Sequence, residues 1–459
     1  MNIRYQLSRA CFIVLFCIAC CWPSLAQQAP DLSKSQMPSV ITVPEAAKSS
    51  DHFDVDAATN AYLAEIPAAA RARSDAYFEG GYWLILWDFL LSIVVYWILL
   101  RFGWSARMRH FAERVTGIRF LQPFVYWFQF MIVTSILEFP LAVYEGYFRE
   151  WKYGLATQTF GPWMWDQTKG LLLGIIMGGV VVMALMWVVR KLPNTWHIWG
   201  AVTTIVFMAL AVMIVPTVIM PIFNTPKILD DAKVTVPILS LARANGIFAK
   251  NVYQIDASKQ TTRMSANVSG FGKTMRITLN DNLLRRGSPE EIQSVMGHEM
   301  GHYVLNHIYK TFLFIFVVIV AGFSLLRWAL DWSLARWGEQ WKVREVTDVA
   351  VLPLVFLLAG IFFFVLTPIT NSETRTAEHE ADMYGINASR QPDGFAQAAI
   401  HLGEYRKMSP SPMEEWIFFD HPSGRKRIHD AMQWKAENLR LFQTEATAPA
   451  ATTPATTTK

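Results

Sequence analysis

The 459-residue chain is 53% hydrophobic and 17% charged, with a formal net charge of +4 and a positive mean hydropathy. This balance argues against an ordinary soluble domain and for a membrane protein. The charge excess is small for the length, and no basic–aromatic array suggests nucleic acid as a partner.

In chain order, Arg4 and Arg9 precede an apolar run from Ala10 to Trp22, followed by Pro23-Ser24-Leu25-Ala26. This is the layout of a secretory signal peptide cleaved after Ala26; the alternative is an uncleaved first membrane helix. Cys11, Cys17, Cys20 and Cys21 are the only cysteines and all lie in this leader, so the body of the protein has neither thiolate ligands nor disulfides. Residues 27–70 are polar and Ala/Pro/Ser-rich and read as a linker or weakly ordered arm, within an N-terminal segment spanning 27–80. Apolar runs near 82–100, 120–144, 170–189, 198–222, 309–330 and 349–370 are each long enough to cross a bilayer core of roughly 30 Å. Two are imperfect, the second by Glu138 and Pro140, the fourth by Pro216 and Pro221. Asp88 and Glu138 sit within apolar spans, where an ionisable group faces a water-filled cavity, a partner on a neighbouring helix or a nearby interface. Tyr82, Trp83, Trp163, Trp165, Trp196 and Trp199 cluster near span ends, as interfacial anchors do.

Residues 224–308 change character. A small strand ribbon is expected near 252–280, where Met275 to Leu279 alternates. Next, Ser288-Pro289-Glu290-Glu291 reads as an N-cap, a proline at the first helical position and a capping-box glutamate. Ile292, Val295, Met296 and Met300 then recur at helical spacing, and this helix carries His298-Glu299-Met300-Gly301-His302. Histidines four apart share one helix face and can reach a single metal ion, while Glu299 can take a proton from metal-activated water. A third ligand must be His, Asp or Glu. The richest stretch, Asn371 to Asp382, follows the last apolar span. Read as a helix, it puts Glu378 and Asp382 on one face with Arg375 a turn earlier. Glu378 is then the candidate ligand, with His379 and Glu380 as competitors, and Asp382 is placed to orient a ligand histidine. The tail 444–459 is Ala/Thr/Pro low complexity and is expected to be disordered.

These residues resemble the integral-membrane zinc metallopeptidases of the type I CAAX prenyl endopeptidase family, as a bacterial-type member. Matches run from Pro221-Ile222-Phe223-Asn224 through Val252–Lys259, Gly270-Phe271-Gly272 and Arg276–Leu284 to His298–His302, continued by His307 and Lys310. They end with Arg375-x-x-Glu378-x-x-Ala381-Asp382 and His421-Pro422 with Arg427, so the likeness covers most of 198–430. It implies a mostly α polytopic bundle with six spans plus the leader or a seventh span. An integrated gluzincin-like zinc unit and a small β ribbon complete the implied fold. It further implies one Zn2+ per chain held by His298, His302 and Glu378, Glu299 as general base, and His421 with Arg427 stabilising the oxyanion. Asn267 and Gly270 would contact an extended substrate that adds as a further strand. Where the family tends to read Asn-Ala-Tyr, this chain has Ser265-Ala266-Asn267, which puts side-chain contacts there in doubt but not backbone pairing.

The chain thus divides into 1–26 (leader or first helix), 27–80 (arm), 81–223 (membrane helices) and 224–308 (strand ribbon and HExxH helix). Residues 309–370 (membrane helices), 371–443 (third-ligand helix and C-terminal catalytic part) and 444–459 (tail) follow. Arg101, Arg107, Arg109, Arg114, Arg119, Arg190, Lys191, Arg336, Lys342 and Arg344 mark turns on one side, expected to be cytoplasmic. The zinc-bearing segments would then face outward, from a bacterial inner membrane. The expected activity is endoproteolysis of membrane-associated or misfolded proteins by metal-activated water. The partners are a peptide or protein substrate and the bilayer; the oligomeric state is left open. A zinc-binding scaffold or chaperone without turnover is the alternative, which the presence of Glu299 disfavours.

Overall fold

The computed structural model describes residues 37–270 and 275–442. The leader 1–26 with its cysteines and the low-complexity tail 444–459 lie outside the described residues, as does Phe271–Thr274.

Six helical segments among the described residues are long and apolar enough to cross a membrane: Ala68–Arg101, Gln122–Lys152, Phe160–Lys191, Trp196–Phe223, His307–Trp341 and Val349–Ser389. Before them comes α1 (Val55–Ala64), capped by Asp54, whose carboxylate accepts from the Ala57 N–H. Next is α2 (Ala68–Arg101), which ends where Gly103, at φ +66°, turns the chain into the short α3 (Trp104–Val115). The next three spans are α4 (Gln122–Val143), α5 (Phe160–Lys191) and α6 (Trp196–Ile214). The second and fourth spans, whose prolines made them imperfect in the sequence, remain helical throughout. Each loosens into a π-helical stretch near its prolines, Tyr144–Arg149 after Pro140 and Val215–Ile219 around Pro216. A missing N–H and a displaced carbonyl favour that wider turn.

The ribbon is a four-stranded sheet in the order β1-β2-β4-β3, with β1 at Lys227–Ile228, β2 at Val252–Ile255, β3 at Ala266–Ser269 and β4 at Arg276–Asn280. β2 and β4 are parallel, β3 and β4 antiparallel, and the outer edge of β3 is unpaired within the sheet. Between the first two strands lies α7 (Ala232–Ala244), and after β4 come α8 (Asp281–Arg286) and the HExxH helix α9 (Pro289–Val304). Ile277 and Leu279 of β4, Val252 of β2, Ile238 of α7 and Met296 and Met300 of α9 form one core. The alternation of β4 therefore seats the sheet on the apolar face of the HExxH helix.

After a turn at Asn306, in the left-handed region at φ +59°, α10 (His307–Trp341) recrosses the membrane. The last span, α11 (Leu352–Ser389), does not stop at residue 370. It is one helix of 38 residues, about 57 Å long at 1.5 Å per residue, so the expected boundary between membrane helix and third-ligand helix is absent. Pro368 lies inside it, and the Ser372 hydroxyl donates to the Pro368 carbonyl at 2.7 Å, giving the loosened turn a local bond. The chain closes with α12 (Pro392–Leu402), α13 (Pro412–Phe418) and α14 (Gly424–Glu437).

The expected linker at 27–70 is corrected over its described part. Met37, Ile41, Tyr62, Leu63 and Ile66 are buried with Phe395 and Ile400 of α12 and Ile428 and Met432 of α14. Tyr62 donates its hydroxyl proton to Asp393 at 2.8 Å, and Lys435 donates to the Ala47 carbonyl at 2.6 Å. The arm is a brace on the back of the site, held by apolar residues too sparse to form a periodic pattern.

Both ends of the bundle are pinned by charge. At one, Arg109 meets Asp348, Arg344 meets Glu113 at 2.7 Å, and Arg190 donates to the Arg119 carbonyl at 2.7 Å. The arginine-rich turns thus gather together, at the end of the spans away from the sheet and α9. At the other end, Arg149 donates to the Tyr77 carbonyl and Arg263 pairs with Glu150 at 2.8 Å.

Candidate metal centre

The HExxH helix begins where its caps require. Ser288 Oγ accepts from the Glu291 N–H at 3.2 Å, and Glu291 accepts from the Ser288 N–H at 2.6 Å, a reciprocal arrangement in which the cap contributes about 1 kcal/mol. The second Glu291 oxygen lies 2.7 Å from His401 Nδ1 on α12, and His401 Nε2 lies 2.9 Å from the Pro38 carbonyl. The helix start is therefore tied to α12 and to the arm.

Helix α9 then runs against α11 along a seam of small residues, Gly297 and Gly301 facing Ala381 and Gly385. A Cβ on Gly385 would stand 2.5 Å from the His298 backbone nitrogen, and one on Gly297 2.8 Å from the Gly385 carbonyl oxygen. Nothing larger fits, and this contact brings the two sets of polar side chains within reach. His298 Nε2 lies 3.1 Å from His302 Nε2 and 3.3 Å from Glu378 Oε2, while His302 Nε2 lies 3.5 Å from Glu378 Oε1.

These three residues fit a metal ion. A tetrahedral ion with bonds of about 2.0–2.1 Å needs ligand atoms about 3.3–3.4 Å apart; the two imidazole nitrogens are 3.1 Å apart, each has a Glu378 oxygen at 3.3 or 3.5 Å, and one ligand atom from each residue lies within 4.8 Å of the other two. Glu378 Oε2 is buried without a hydrogen bond, although the nitrogens of His298 and His421 stand 3.3 and 3.2 Å away. Two imidazoles and one carboxylate, with one side left open to a cleft, match the donor set of catalytic zinc.

Around this set, each group has an orienting partner. Asp382 Oδ1 is 2.7 Å from His298 Nδ1, and Arg427 grips the same carboxylate through Nε at 2.9 Å and Nη2 at 2.6 Å. Asp382 and Arg427 are both buried, so each compensates the other's desolvation. The resemblance implies an oxyanion role for Arg427; its Nε and Nη2 are engaged by Asp382, and the residue lines the cleft. His302 Nδ1 is 3.0 Å from His307 Nδ1, and His307 Nε2 is 3.0 Å from Glu380, which also accepts from Lys310 at 2.7 Å. Glu380, a competitor for the ligand position, thus faces away into this relay. His379, the other competitor, is 3.3 Å from Asp430.

His421 reaches the centre from the loop after α13. Its Nδ1 is 2.8 Å from Asp420, and Arg375 holds the loop by donating to the carbonyls of Glu415 and Phe419 at 3.0 and 2.5 Å. Sequence reading assigned no part to Asp420, gave His307 only as a continuation of the motif, and named Glu380 only as a competitor for the ligand position. An acidic residue beside the His-Pro pair was the one local signal for the first, and nothing local indicated that Glu380 faces His307.

The electrostatics divide the ionisable groups by role. Burial opposes a charge on His298, but the hydrogen bond to Asp382 and the Glu378 carboxylate beside the ring outweigh it and raise the ring to about 10. Burial and the His298 charge hold His302 down at about 4. Near neutral pH the pair therefore carries one positive charge, on His298, and metal binding there would require that ionising proton to leave. Glu299 is pushed up to about 7 by burial, against the pull of the His298 charge, which places it where a base working near neutrality is useful.

The centre opens on a cleft of roughly 220 Å³ lined by Glu299, His421, Arg406 and, from the sheet side, Met264, Ser265 and Ala266. Of the two residues expected to touch substrate, Asn267 lies further along β3 with its Oδ1 buried and without a hydrogen bond. Gly270 follows the strand at φ +93°, and the rest of its Gly-Phe-Gly segment lies outside the described residues.

Comparison with known proteins finds relatives over most of the chain. Residues 229–435 match Peptidase family M48, and residues 57–225 match the CAAX prenyl protease N-terminal region of five membrane helices. A Bacillus subtilis protein named as an uncharacterized metalloprotease is 28% identical over 77% of this chain and 83% of its own length. The CAAX prenyl protease 1 homolog of Arabidopsis thaliana is 30% identical over 65% of this chain and 70% of its own. In three dimensions the crystal structure of Ste24p from S. mikatae superposes with a TM-score of 0.69 at 22% identity, covering 79% of this chain and 88% of that one.

Proposed function

We infer, from the premise that this chain belongs to peptidase family M48 and is a zinc-dependent membrane endopeptidase, that His298, His302 and Glu378 hold the metal and Glu299 is the general base. The observation that carries this reading is the set of ligand separations, 3.1–3.5 Å, with Glu299 in the same cleft. When bound, zinc supplies Lewis-acid polarisation and lowers the pKa of water. Glu299 takes the proton of the attacking water and delivers it to the leaving amine. His421, kept in one orientation by Asp420, donates its Nε2 proton to the oxygen that becomes negative, and Arg427 adds positive charge from behind. Asp382 acts as a positioning group, fixing the His298 ring so that Nε2 faces the centre.

The substrate is a membrane-associated or misfolded protein whose cleaved segment lies extended along the free edge of β3, as backbone pairing there would allow. Orientation follows from charge: with the arginine-rich turns cytoplasmic, the cleft faces outward, and a cleaved leader is consistent with that. The CAAX prenyl proteases among the relatives take their name from prenylated C-termini, and this orientation argues against such a substrate here. The localisation proposed is therefore a bacterial inner membrane with an outward catalytic face.

Purified wild-type protein and Glu299→Gln, compared for zinc content and for cleavage of casein and a fluorogenic peptide, test the assignment. The variant is expected to keep its zinc and lose cleavage by at least a hundredfold. Full zinc occupancy with no cleavage by the wild type under any condition would favour a scaffold instead.

A further inference from the structure

The guanidiniums around the cleft are committed, with one exception. Arg427 grips Asp382, Arg263 pairs with Glu150, Arg286 with Glu404 at 2.9 Å, and Arg375 donates to two carbonyls. Arg406 lines the cleft beside His421 and Glu299, yet among the described residues its side chain makes no hydrogen bond and no ion pair. It stands 5.8 Å from the Tyr405 ring, and Asp420, already bound to His421, is within electrostatic range. A half-buried cation at the wall of a substrate cleft, with no acceptor of its own, is a site for an anionic group.

Its place along the cleft says which part of a substrate it meets. Tyr405 lies under the Arg263 guanidinium at 5.2 Å, and Arg286 ties Glu404 to the Thr262 carbonyl, so the 403–406 turn is fastened beside the N-terminal end of β3. Met264, Ser265 and Ala266, at that end, line the cleft with Arg406. A peptide pairing with the free edge in the slightly more stable antiparallel sense runs opposite to β3. Its C-terminal portion then lies toward residues 264 and 263, against Arg406.

We propose that Arg406 is a specificity-determining residue that receives a carboxylate carried by the substrate downstream of the bond to be cut, on the leaving-amine side. The inference rests on the peptidase reading. The carboxylate is either the substrate's own C-terminus or an Asp or Glu side chain. The guanidinium fork suits both, and among the described residues the sheet-side wall (Met264, Ser265, Ala266) carries no cation.

The test uses full-length protein in detergent or nanodiscs and four peptides of one sequence. The first two end shortly after the scissile bond in a free carboxylate or an amide; the other two are longer, amidated, and carry Asp or Asn at the same downstream position. Wild type is expected to prefer the free carboxylate over the amide by about tenfold or more, the worth of one charge-assisted hydrogen bond, with the difference in KM rather than kcat. In Arg406→Gln that ratio falls to near one, and in Arg406→Lys part of it survives. A preference for Asp over Asn that also depends on Arg406 assigns the site to any carboxylate; its absence assigns it to the chain terminus. Equal ratios in wild type and Arg406→Gln, or a loss in kcat shared by all four peptides, would overturn the proposal. Peptide binding to Glu299→Gln, with and without Arg406→Gln, is read by fluorescence anisotropy. It decides the carboxylate question even if the wild type cuts nothing, which would count against the peptidase reading alone.

Discussion

Replacing Gly385 by alanine tests whether the seam between the two ligand-bearing helices sets the geometry of the centre. The new methyl would lie 2.5 Å from the His298 nitrogen and 2.8 Å from its Cα, both backbone atoms that no rotamer change can move. Ordinary contact begins near 3.4 Å, so the helices must part by nearly 1 Å locally, at a cost of about 1–3 kcal/mol for overpacking. Metal sites tolerate ligand displacements of only about 0.2 Å. Zinc affinity should therefore fall by about tenfold to a hundredfold, and kcat/KM by about a hundredfold, the effect of a misplacement of roughly 1 Å. Chelator competition measures the first and peptide cleavage the second, with thermal unfolding as the stability check. Gly360→Ala is the control, since it lies in the same helix with nothing within 4 Å of the added methyl. A Gly385→Ala protein with wild-type zinc affinity and activity would refute the argument.

Two further outcomes are expected. Asp382→Asn keeps the shape but leaves the buried Arg427 guanidinium without its counter-charge and weakens the grip on His298; zinc affinity should drop by about tenfold to a hundredfold, and an unchanged affinity would remove Asp382 from the positioning role. The kcat/KM profile should show an acid limb set by Glu299, which works ionised: burial raises it from 4.5 toward about 7, bound zinc pulls it back, and so activity rises with pH between those limits. A profile flat across that range would remove Glu299 as the base.

The HExxH helix was legible because everything that defines it is local. The Ser288–Glu291 capping box, the apolar spacing and the four-residue separation of the histidines all lie within one short segment. The membrane spans were legible for the same reason, as runs of apolar residues of sufficient length. Glu378 was accessible to pattern, because a helical reading puts it on one face with Asp382, but His379 and Glu380 stayed beside it as competitors. The rotation of α11 against α9 separates them, turning Glu378 to the histidines and Glu380 to His307.

Other features had no local signature. The arm at 37–70 carries buried residues such as Tyr62 and Ile66 that match a surface formed more than three hundred residues later in the chain. The partner of Arg427 is 45 residues away, and the cleft position of Arg406 exists only because its turn is tied to the start of β3. Glycines 297 and 385 read as ordinary helix-interior glycines until the helices meet. The sequence by itself determined that two imidazoles and a base share a helix, and that the chain crosses a bilayer, because periodicity and hydrophobic length are properties of contiguous residues. Only the tertiary structure brings Glu378 rather than Glu380 up to the two imidazoles and, among the described residues, leaves Arg406 without an acceptor, because both depend on contacts between segments far apart in the chain.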